Sequence, residues 1–331
     1  MTIKTRLTRR TALSVLGASA ALPLLPSLAR AQLIERLALY GPPAGPSVTL
    51  AHAVATDMFA DIADSATFSA WRNPDELRAG LTSGEILLSV VPVQAAANLY
   101  NRGFPIRLAN VMTNGLLYII SEASDIDAIP DLAGRSVAVP FRGDTPEIIF
   151  GQLLAFHGLN PEGDVEITYA ASPVEAMQLL LAGRVDAALT AEPSTTAGVL
   201  RGREAGMDVR RAISIQEAWG EMTDAAPVLP QAGLAVTDVF LDRHGDAMPD
   251  LLATLSAATA GVLAEPAQAA ADATGALGLP APLIAASVPY CNLVMRPAGE
   301  ARADVERMLT AMAGPDMAGI GGSLPDDAFY F

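Results

Sequence analysis

Short apolar runs alternate with helical patterns along most of the chain. Asn73, Pro74 and Glu76 form the start signal of a helix that Gly84 ends, and Ser172 opens a second helix in the same way. The order of strand, helix and strand predicts an α/β protein with mostly parallel sheets, which bind ligands at the carboxyl ends of their strands. The predicted strands are Leu37–Tyr40, Ala66–Trp71, Ile86–Val91, Ile106–Val111, Leu116–Ile120, Ser136–Val139, Val165–Tyr169, Val185–Leu189 and Leu234–Val236.

The same pattern occurs twice, at an offset of 99 residues. Each copy is a capped helix, a glycine stop, a strand, a proline-marked turn and a second helix that ends near Arg-Gly. We interpret the pair as two copies of one unit, the alternative being chance similarity between two βα segments. Two similar α/β lobes suggest a clamp that closes on a small ligand. The matching positions are Pro74 with Pro173, Glu76 with Glu175, Leu81 with Leu180, Gly84 with Gly183, Arg102 with Arg201 and Gly103 with Gly202.

Residues 1–31 have the three regions of an export signal. Four cations precede an apolar segment, and Ala29-Arg30-Ala31 supplies small residues around a cleavage point. Pro23 and Pro26 interrupt the apolar segment, which favours cleavage over a membrane anchor. The segment around Arg9-Arg10 resembles a twin-arginine (Tat) signal, and Sec export stays open. We therefore expect an exported, periplasmic protein that is soluble after signal cleavage.

Composition and charge exclude several function classes. The 331 residues are 51% hydrophobic and 17% charged, which predicts roughly two folded domains and excludes a disordered chain. The net charge of −15 becomes −20 without the signal, because that segment holds five cations and no acid. Such a charge argues against a nucleic-acid partner. The three histidines lack metal-binding spacing, and Cys291 is expected to be a buried residue and not a nucleophile.

Five motifs follow one another along the chain: Asn73–Leu77, Leu81–Gly84, Asn98–Gly103, Asp131–Pro140 and Gly183–Ala188. In this order they resemble the periplasmic solute-binding proteins of ABC importers. The most similar branch is the nitrate/sulfonate/taurine group, which is related to the thiamine-precursor binding proteins. Glu85-Ile86 departs from the branch's pattern, where an Asp often stands, as Asp186 does in the second copy.

The resemblance implies a type II periplasmic-binding fold with two Rossmann-like lobes joined by a two-strand hinge. Lobe one is expected at 32–114 and 235–331, and lobe two at 115–234. The ligand is expected in the cleft between the lobes, as a small molecule that is organic or inorganic, with an anion favoured. A permease in the inner membrane would be the partner of a monomeric protein, and no cofactor or metal is expected.

The candidate ligand-binding residues follow predicted strands or lie at the crossings between lobes. Arg142 and the amides before Thr145 are candidates for an anion site, with a solvated loop charge as the alternative for Arg142. Trp71 is either an apolar wall or a core residue. Glu192 either accepts a donor from the ligand or repels anions, and Gln231 is an amide contact or a hinge residue. The full set is Gly41, Pro42, Trp71, Pro92, Arg142, Gly143, Asp144, Thr145, Glu192 and Gln231.

Three functions are compatible with these residues. The first is a transport receptor that delivers its ligand to a permease, and the second is a related sensory binding protein that signals to a receptor or kinase. The third is an enzyme like the thiamine-pyrimidine synthases, which share this architecture. Pyridoxal-phosphate chemistry needs a lysine, and Lys4 in the signal is the only one in the chain. We therefore predict that the protein is not an enzyme.

Overall fold

Two five-stranded sheets and a two-stranded ribbon organise the computed structural model, which describes residues 33–314 and 317–331. The predicted signal segment, 1–31, lies outside the described residues. The strands are β1 Leu37–Gly41, β2 Ala66–Ala70, β3 Leu88–Pro92, β4 Ile106–Leu108, β5 Asn110–Thr113, β6 Leu117–Ser121, β7 Ser136–Pro140, β8 Glu166–Ala170, β9 Ala187–Ala191, β10 Arg210–Ser214, β11 Ala232–Thr237 and β12 Leu293–Pro297.

Twelve α-helices connect and cover the strands in the described part of the chain. They are α1 Gly45–Ala55, α2 Pro74–Ser83, α3 Val93–Asn101, α4 Thr145–Phe156, α5 Pro173–Leu181, α6 Ser194–Glu204, α7 Ile215–Thr223, α8 Asp238–His244, α9 Met248–Ala264, α10 Pro266–Leu277, α11 Ala281–Ser287 and α12 Ala298–Met312. Short 3-10 turns lie at Ile129–Leu132, Gly245–Ala247, Val288–Tyr290, Ala318–Ile320 and Asp327–Phe329.

The two sheets have the same strand arrangement. The first sheet has the order β2-β1-β3-β11-β4, and the second has the equivalent order β8-β7-β9-β6-β10. In each sheet one strand is antiparallel to its neighbours, β11 in the first and β6 in the second. The other paired strands are parallel, so the predicted α/β class with mostly parallel sheets is confirmed.

The sequence repeat corresponds to a structural repeat. The run β1-α1-β2-α2-β3-α3-β4 is followed later by β7-α4-β8-α5-β9-α6-β10, and β3 and β9 match at the offset of 99. The antiparallel strand of each sheet lies outside the run that forms the rest of that sheet. β6 of the second sheet comes before the second run, and β11 of the first sheet comes only after the second run. The chain therefore passes twice between the sheets, as a type II periplasmic-binding fold requires.

Helices α2 and α5 begin with the side-chain caps that the sequence predicts. The Asn73 side chain accepts a hydrogen bond from the Glu76 amide at 2.9 Å, and the Ser172 hydroxyl accepts one from the Glu175 amide at 3.2 Å. Each satisfies an amide that the first turn of a helix leaves without a backbone partner. Gly84 ends α2 in a left-handed conformation with φ of +77°.

One predicted strand is wrong, because Ile106–Val111 is two strands that belong to different sheets. β4 pairs with β11, whereas β5 pairs with β12 in the ribbon. The Asn110 side-chain oxygen accepts a hydrogen bond from the Leu234 amide at 3.0 Å, and the Ala109 amide donates to the Leu234 carbonyl at 2.8 Å. The chain changes sheets at this point, which the mainly apolar pattern of the segment does not indicate.

Strands of both sheets are buried on two faces. In the second sheet Ala188 packs with Met177 of α5, whereas Leu189 joins the apolar cluster that contains Phe150 of α4. Within the described residues, the stretch Asp238–Ala264 is long and apolar enough to cross a membrane. Its α9 portion buries Leu251 and Leu255 against the first sheet, as a core helix does.

Candidate functional site

A cavity of about 400 Å³ lies between the carboxyl ends of the strands of the two sheets. On the first sheet, the cavity is lined by Pro42 after β1, Trp71 after β2 and Pro92 at the end of β3. On the second sheet, Phe141 follows β7 and Glu192 follows β9 at the same cavity. These positions agree with the general rule that α/β sheets bind ligands beyond the carboxyl ends of their strands.

Seven of the residues singled out in the sequence line this cavity, and their role in binding stays a prediction. Gly41, Arg142 and Gly143 do not line it. A Cβ at Gly41 would collide with the Ser47 hydroxyl, so this glycine allows α1 to pack closely against β1. The lining residues are Pro42, Trp71, Pro92, Asp144, Thr145, Glu192 and Gln231.

The loop before α4 turns the Arg142 side chain away from the cavity. The Arg142 guanidinium carbon lies 4.6 Å from the centroid of the Tyr169 ring, and the side chain is exposed. The Gly143 amide donates to the Glu147 carboxylate, which also accepts a hydrogen bond from the Tyr169 hydroxyl at 2.6 Å. The predicted arginine fork therefore does not reach the cavity in this conformation.

Thr145 contributes an unsatisfied hydroxyl to the cavity. It is the first residue of α4, and its amide donates to the Asp144 carboxylate at 2.7 Å. The side chain is 5% exposed, and its Oγ1 has no hydrogen-bond partner within the described chain. Since buried hydroxyls are usually hydrogen-bonded, this one is a candidate contact for a bound molecule.

The Glu192 carboxylate is occupied by partners from its own protein. One oxygen accepts hydrogen bonds from Arg211 Nε at 3.0 Å and Nη2 at 2.6 Å. The other accepts from the Thr196 amide at 3.1 Å and hydroxyl at 2.7 Å. Burial raises the pKa of this carboxyl, and the charge of Arg211 and the bonds from Thr196 oppose that rise. The ion pair thus stabilises the cavity wall and leaves Glu192 little capacity to accept a donor from a ligand.

Arg211 is itself enclosed by two tyrosines that the sequence did not single out. Its guanidinium carbon lies 3.5 Å from the ring centroid of Tyr290 and 5.6 Å from that of Tyr118. The Tyr118 hydroxyl donates to the Tyr290 carbonyl at 2.9 Å. Burial and the Glu192 charge raise the pKa of Tyr118 to about 12. No spacing in the sequence signals this cluster, because its members are distant in the chain and meet only in the fold.

Gln231 and Trp71 are both held by the protein around them. The Gln231 Oε1 accepts from the Leu116 amide at 2.9 Å, so this side chain links the two crossings between the sheets. Trp71 donates its indole N–H to the Ser89 hydroxyl at 3.1 Å and belongs to the apolar core. Trp71 is therefore a core residue whose ring also forms part of the cavity wall. The two interpretations, an apolar wall and a core residue, are compatible.

The cavity also has a wall that the sequence did not indicate. Leu279 and Leu283, which lie just before and within α11, line the cavity from the C-terminal part of the chain. α11 packs against α6 of the second run. The sequence of a short apolar helix does not indicate that the helix lines a cavity. Only the tertiary structure shows that these two leucines do so.

The fold and this cavity define a two-sheet binding fold of the type that periplasmic binding proteins have. The model of the NMT1-like family matches residues 45–277. The chain therefore belongs to the NMT1-like family. A search of curated protein sequences finds no match.

Solved structures of ABC-transporter binding proteins have a similar fold. An ABC transporter protein from Parabacteroides distasonis is 23% identical over 90% of this chain and 98% of its own, with a TM-score of 0.72. The periplasmic aliphatic sulphonate binding protein from Escherichia coli is 20% identical over 84% and 85%, with a TM-score of 0.66. The periplasmic nitrate-binding protein from Synechocystis PCC 6803 is 14% identical over 76% and 69%, with a TM-score of 0.58. The predicted resemblance and fold class are confirmed.

Proposed function

We propose that the protein is an exported solute-binding receptor of an ABC importer, which captures a small ligand in the cavity and delivers it to a membrane permease. The observation that carries this proposal is the position of the cavity between the strand ends of two equivalent sheets. Closure of one unit onto the other would enclose the ligand and create the surface that a permease recognises.

The lobes of this receptor would be 32–114 with 235–331, and 115–234. Strand membership supports this division, because β1 to β4 and half of β11 fall in the first part and β6 to β10 fall in the second. The hinge would then lie at the two crossings, where Gln231 bonds to Leu116. Export would be directed by residues 1–31, and the protein would act as a monomer.

The amine and thiol groups of the chain decide whether covalent catalysis is open to it. Lys4 is the only lysine in the chain, so the described residues hold no amine that could form the internal Schiff base of a pyridoxal-phosphate enzyme. The Cys291 thiol is fully buried, and burial raises its pKa, which suppresses the reactive thiolate. Neither group supports covalent catalysis.

The proposal is tested by blocking the cavity. Native mass spectrometry of the exported, purified protein should detect a co-purified small molecule, which identifies the ligand. Ala44→Trp places a large ring at the cavity mouth and should abolish that binding. Ala79→Trp, at an exposed position of α2 outside the cavity, is the matched control and should retain it. Equal binding by the two variants would contradict the proposal.

A further inference from the structure

We propose that the ligand is an organic molecule whose buried part is apolar and uncharged. This inference rests on the proposed receptor function and concerns the same cavity. Three features of the cavity carry it: the helix starts around it, the pairing of its charged groups, and the few polar atoms that remain free.

Four of the helix starts around the cavity have a reduced capacity to bind an anion. Several helices begin at the cavity, and four of them have a proline in the first turn that lines it: Pro46, Pro74, Pro146 and Pro173. A proline in the first turn removes one of the amide donors that would otherwise bind an oxyanion. Helix N-termini can bind anions through these donors, so each proline leaves one donor fewer for an anion at the cavity.

At three of these starts one of the remaining amide donors is already used by a side chain of the protein. Asn73, Asp144 and Ser172 each accept a hydrogen bond from a first-turn amide. Each of the three helices also carries a glutamate in its first turn, whose carboxylate accepts from an amide just before the helix. A negative side chain at this position counters the positive end of the helix dipole. An external anion would therefore meet an acidic and already bonded surface.

The cationic groups near the cavity do not supply a buried counter-charge. Arg211 is paired with Glu192, and Arg72 is exposed and paired with Glu76. Arg201 lines the cavity but its side chain is exposed at the rim. Burying an anion without a partner charge is strongly unfavourable, so the enclosed part of the ligand should carry no full charge.

Two of the buried polar side chains that line the cavity keep an atom free for the ligand. The buried Thr145 Oγ1 has no partner, and the Gln231 amide nitrogen donates to no described residue while its oxygen is bonded to Leu116. A hydroxyl and an amide N–H suit one neutral acceptor, such as a carbonyl or amide group. Trp71, Phe141 and Leu283 are among the apolar residues that would enclose the rest of the molecule.

Calorimetry with two matched series of probes tests this inference. Hexanamide, octanamide and decanamide are compared with hexane-, octane- and decanesulfonate, with sodium nitrate and taurine as small anions. We expect the affinity for the amides to rise by about fourfold for each added CH₂. Each sulfonate should bind at least about tenfold more weakly than the amide of equal length, because its charge would be buried without a partner. Nitrate and taurine should not bind.

A hydroxyl deletion tests the polar contact. Thr145→Val keeps the shape of the side chain and should weaken amide binding by about two- to tenfold, in line with the loss of one hydrogen bond. Thr310→Val, at an exposed position of α12, is the matched control and should leave the affinity unchanged.

Other outcomes separate this inference from the receptor proposal. Tighter binding of the sulfonates, binding of nitrate or taurine, or affinity independent of chain length would overturn the ligand class and leave the receptor role standing. The same holds if a small molecule co-purifies but no amide binds. If no probe binds and no small molecule co-purifies, the receptor proposal itself fails.

Discussion

The guanidinium of Arg211 lies over the ring of Tyr290, with its central carbon 3.5 Å from the ring centroid. Arg211 belongs to β10 of the second sheet, whereas Tyr290 ends a 3-10 turn that precedes β12 of the ribbon. The same guanidinium holds the Glu192 carboxylate in the cavity wall. One side chain therefore links the cavity to the C-terminal part of the chain.

Arg211→Met should destabilise the protein by about 3–5 kcal/mol, because it leaves a buried carboxylate without its partner charge. The Glu192 side chain is fully buried and that of Arg211 is 17% exposed, so solvent screening gives little relief. Urea unfolding measures the change in the free energy of unfolding. The double variant Arg211→Met with Glu192→Gln should recover most of the loss, because the buried charge is removed. A double variant as unstable as Arg211→Met alone would contradict this explanation.

The destabilisation by Arg211→Met should also depend on pH. Burial is the main cause that raises the pKa of Glu192, and removing Arg211 removes the charge that opposes it most. The folded state then keeps a proton that the unfolded state loses above about pH 4.3, so stability falls as the pH rises through this window. Unfolding at about pH 5 and about pH 8 should show a smaller deficit at the lower pH. A deficit that is the same at both values would refute the assignment to Glu192.

Tyr290→Leu should destabilise the protein by about 0.5–2 kcal/mol, because it removes the cation–π contact with Arg211. Tyr290→Phe keeps the ring and is the matched control. The hydrogen bond from Tyr118 goes to the Tyr290 backbone and is retained in both variants. Thermal unfolding of the two variants measures the difference, and equal losses would show that the ring contact does not contribute.

Asp186→Asn should weaken the junction between β7 and β9. The Asp186 carboxylate accepts hydrogen bonds from the Ser136 amide at 2.8 Å and hydroxyl at 2.6 Å, and these bonds lower its pKa. The ionised Asp186 carboxylate therefore stabilises the folded state above the pKa that Asp186 has in the unfolded chain. This stabilisation is lost as the pH falls through the lower pKa that Asp186 has in the folded protein. We expect a loss of about 1 kcal/mol at neutral pH that disappears in acid.

Asp208→Asn is the control for this prediction. Asp208 is exposed and accepts no hydrogen bond from the part of the chain that the structure describes. Chemical unfolding across the acid range should show a pH-dependent deficit for Asp186→Asn only. A deficit that persists in acid would mean that the amide disturbs packing, and not that the charge is lost.

Gly84→Ala and Gly183→Ala should destabilise the protein equally, by about 1 kcal/mol each. The two glycines occupy matching positions of the repeat with φ of +77° and +63°, and an added Cβ would contact nothing within 4 Å. The expected loss of stability therefore comes only from placing an alanine in a left-handed backbone conformation. Gly151→Ala, inside α4 with equally open surroundings, should stabilise the helix and serves as the control. Unequal losses at Gly84 and Gly183, measured by thermal unfolding, would argue against equivalent units.

Local signals explain why so much of the fold could be predicted. The caps at Asn73 and Ser172, and the glycine stops that follow their helices, depend on atoms within a few residues, so the sequence contains all the interacting groups. β10 was missed because its two arginines interrupt the apolar pattern.

The sequence by itself determined the α/β class, the repeat and the positions of the strand ends, since hydrophobic periodicity and capping are local. Only the tertiary structure decided which charges face the cavity. Arg142 follows a strand end and seemed suited to an anion, yet it stacks on Tyr169 outside the cavity. Arg211 comes from an edge strand and meets Glu192 across 19 positions of sequence. Contacts between distant residues depend on how the sheets pack, and no short-range pattern specifies them.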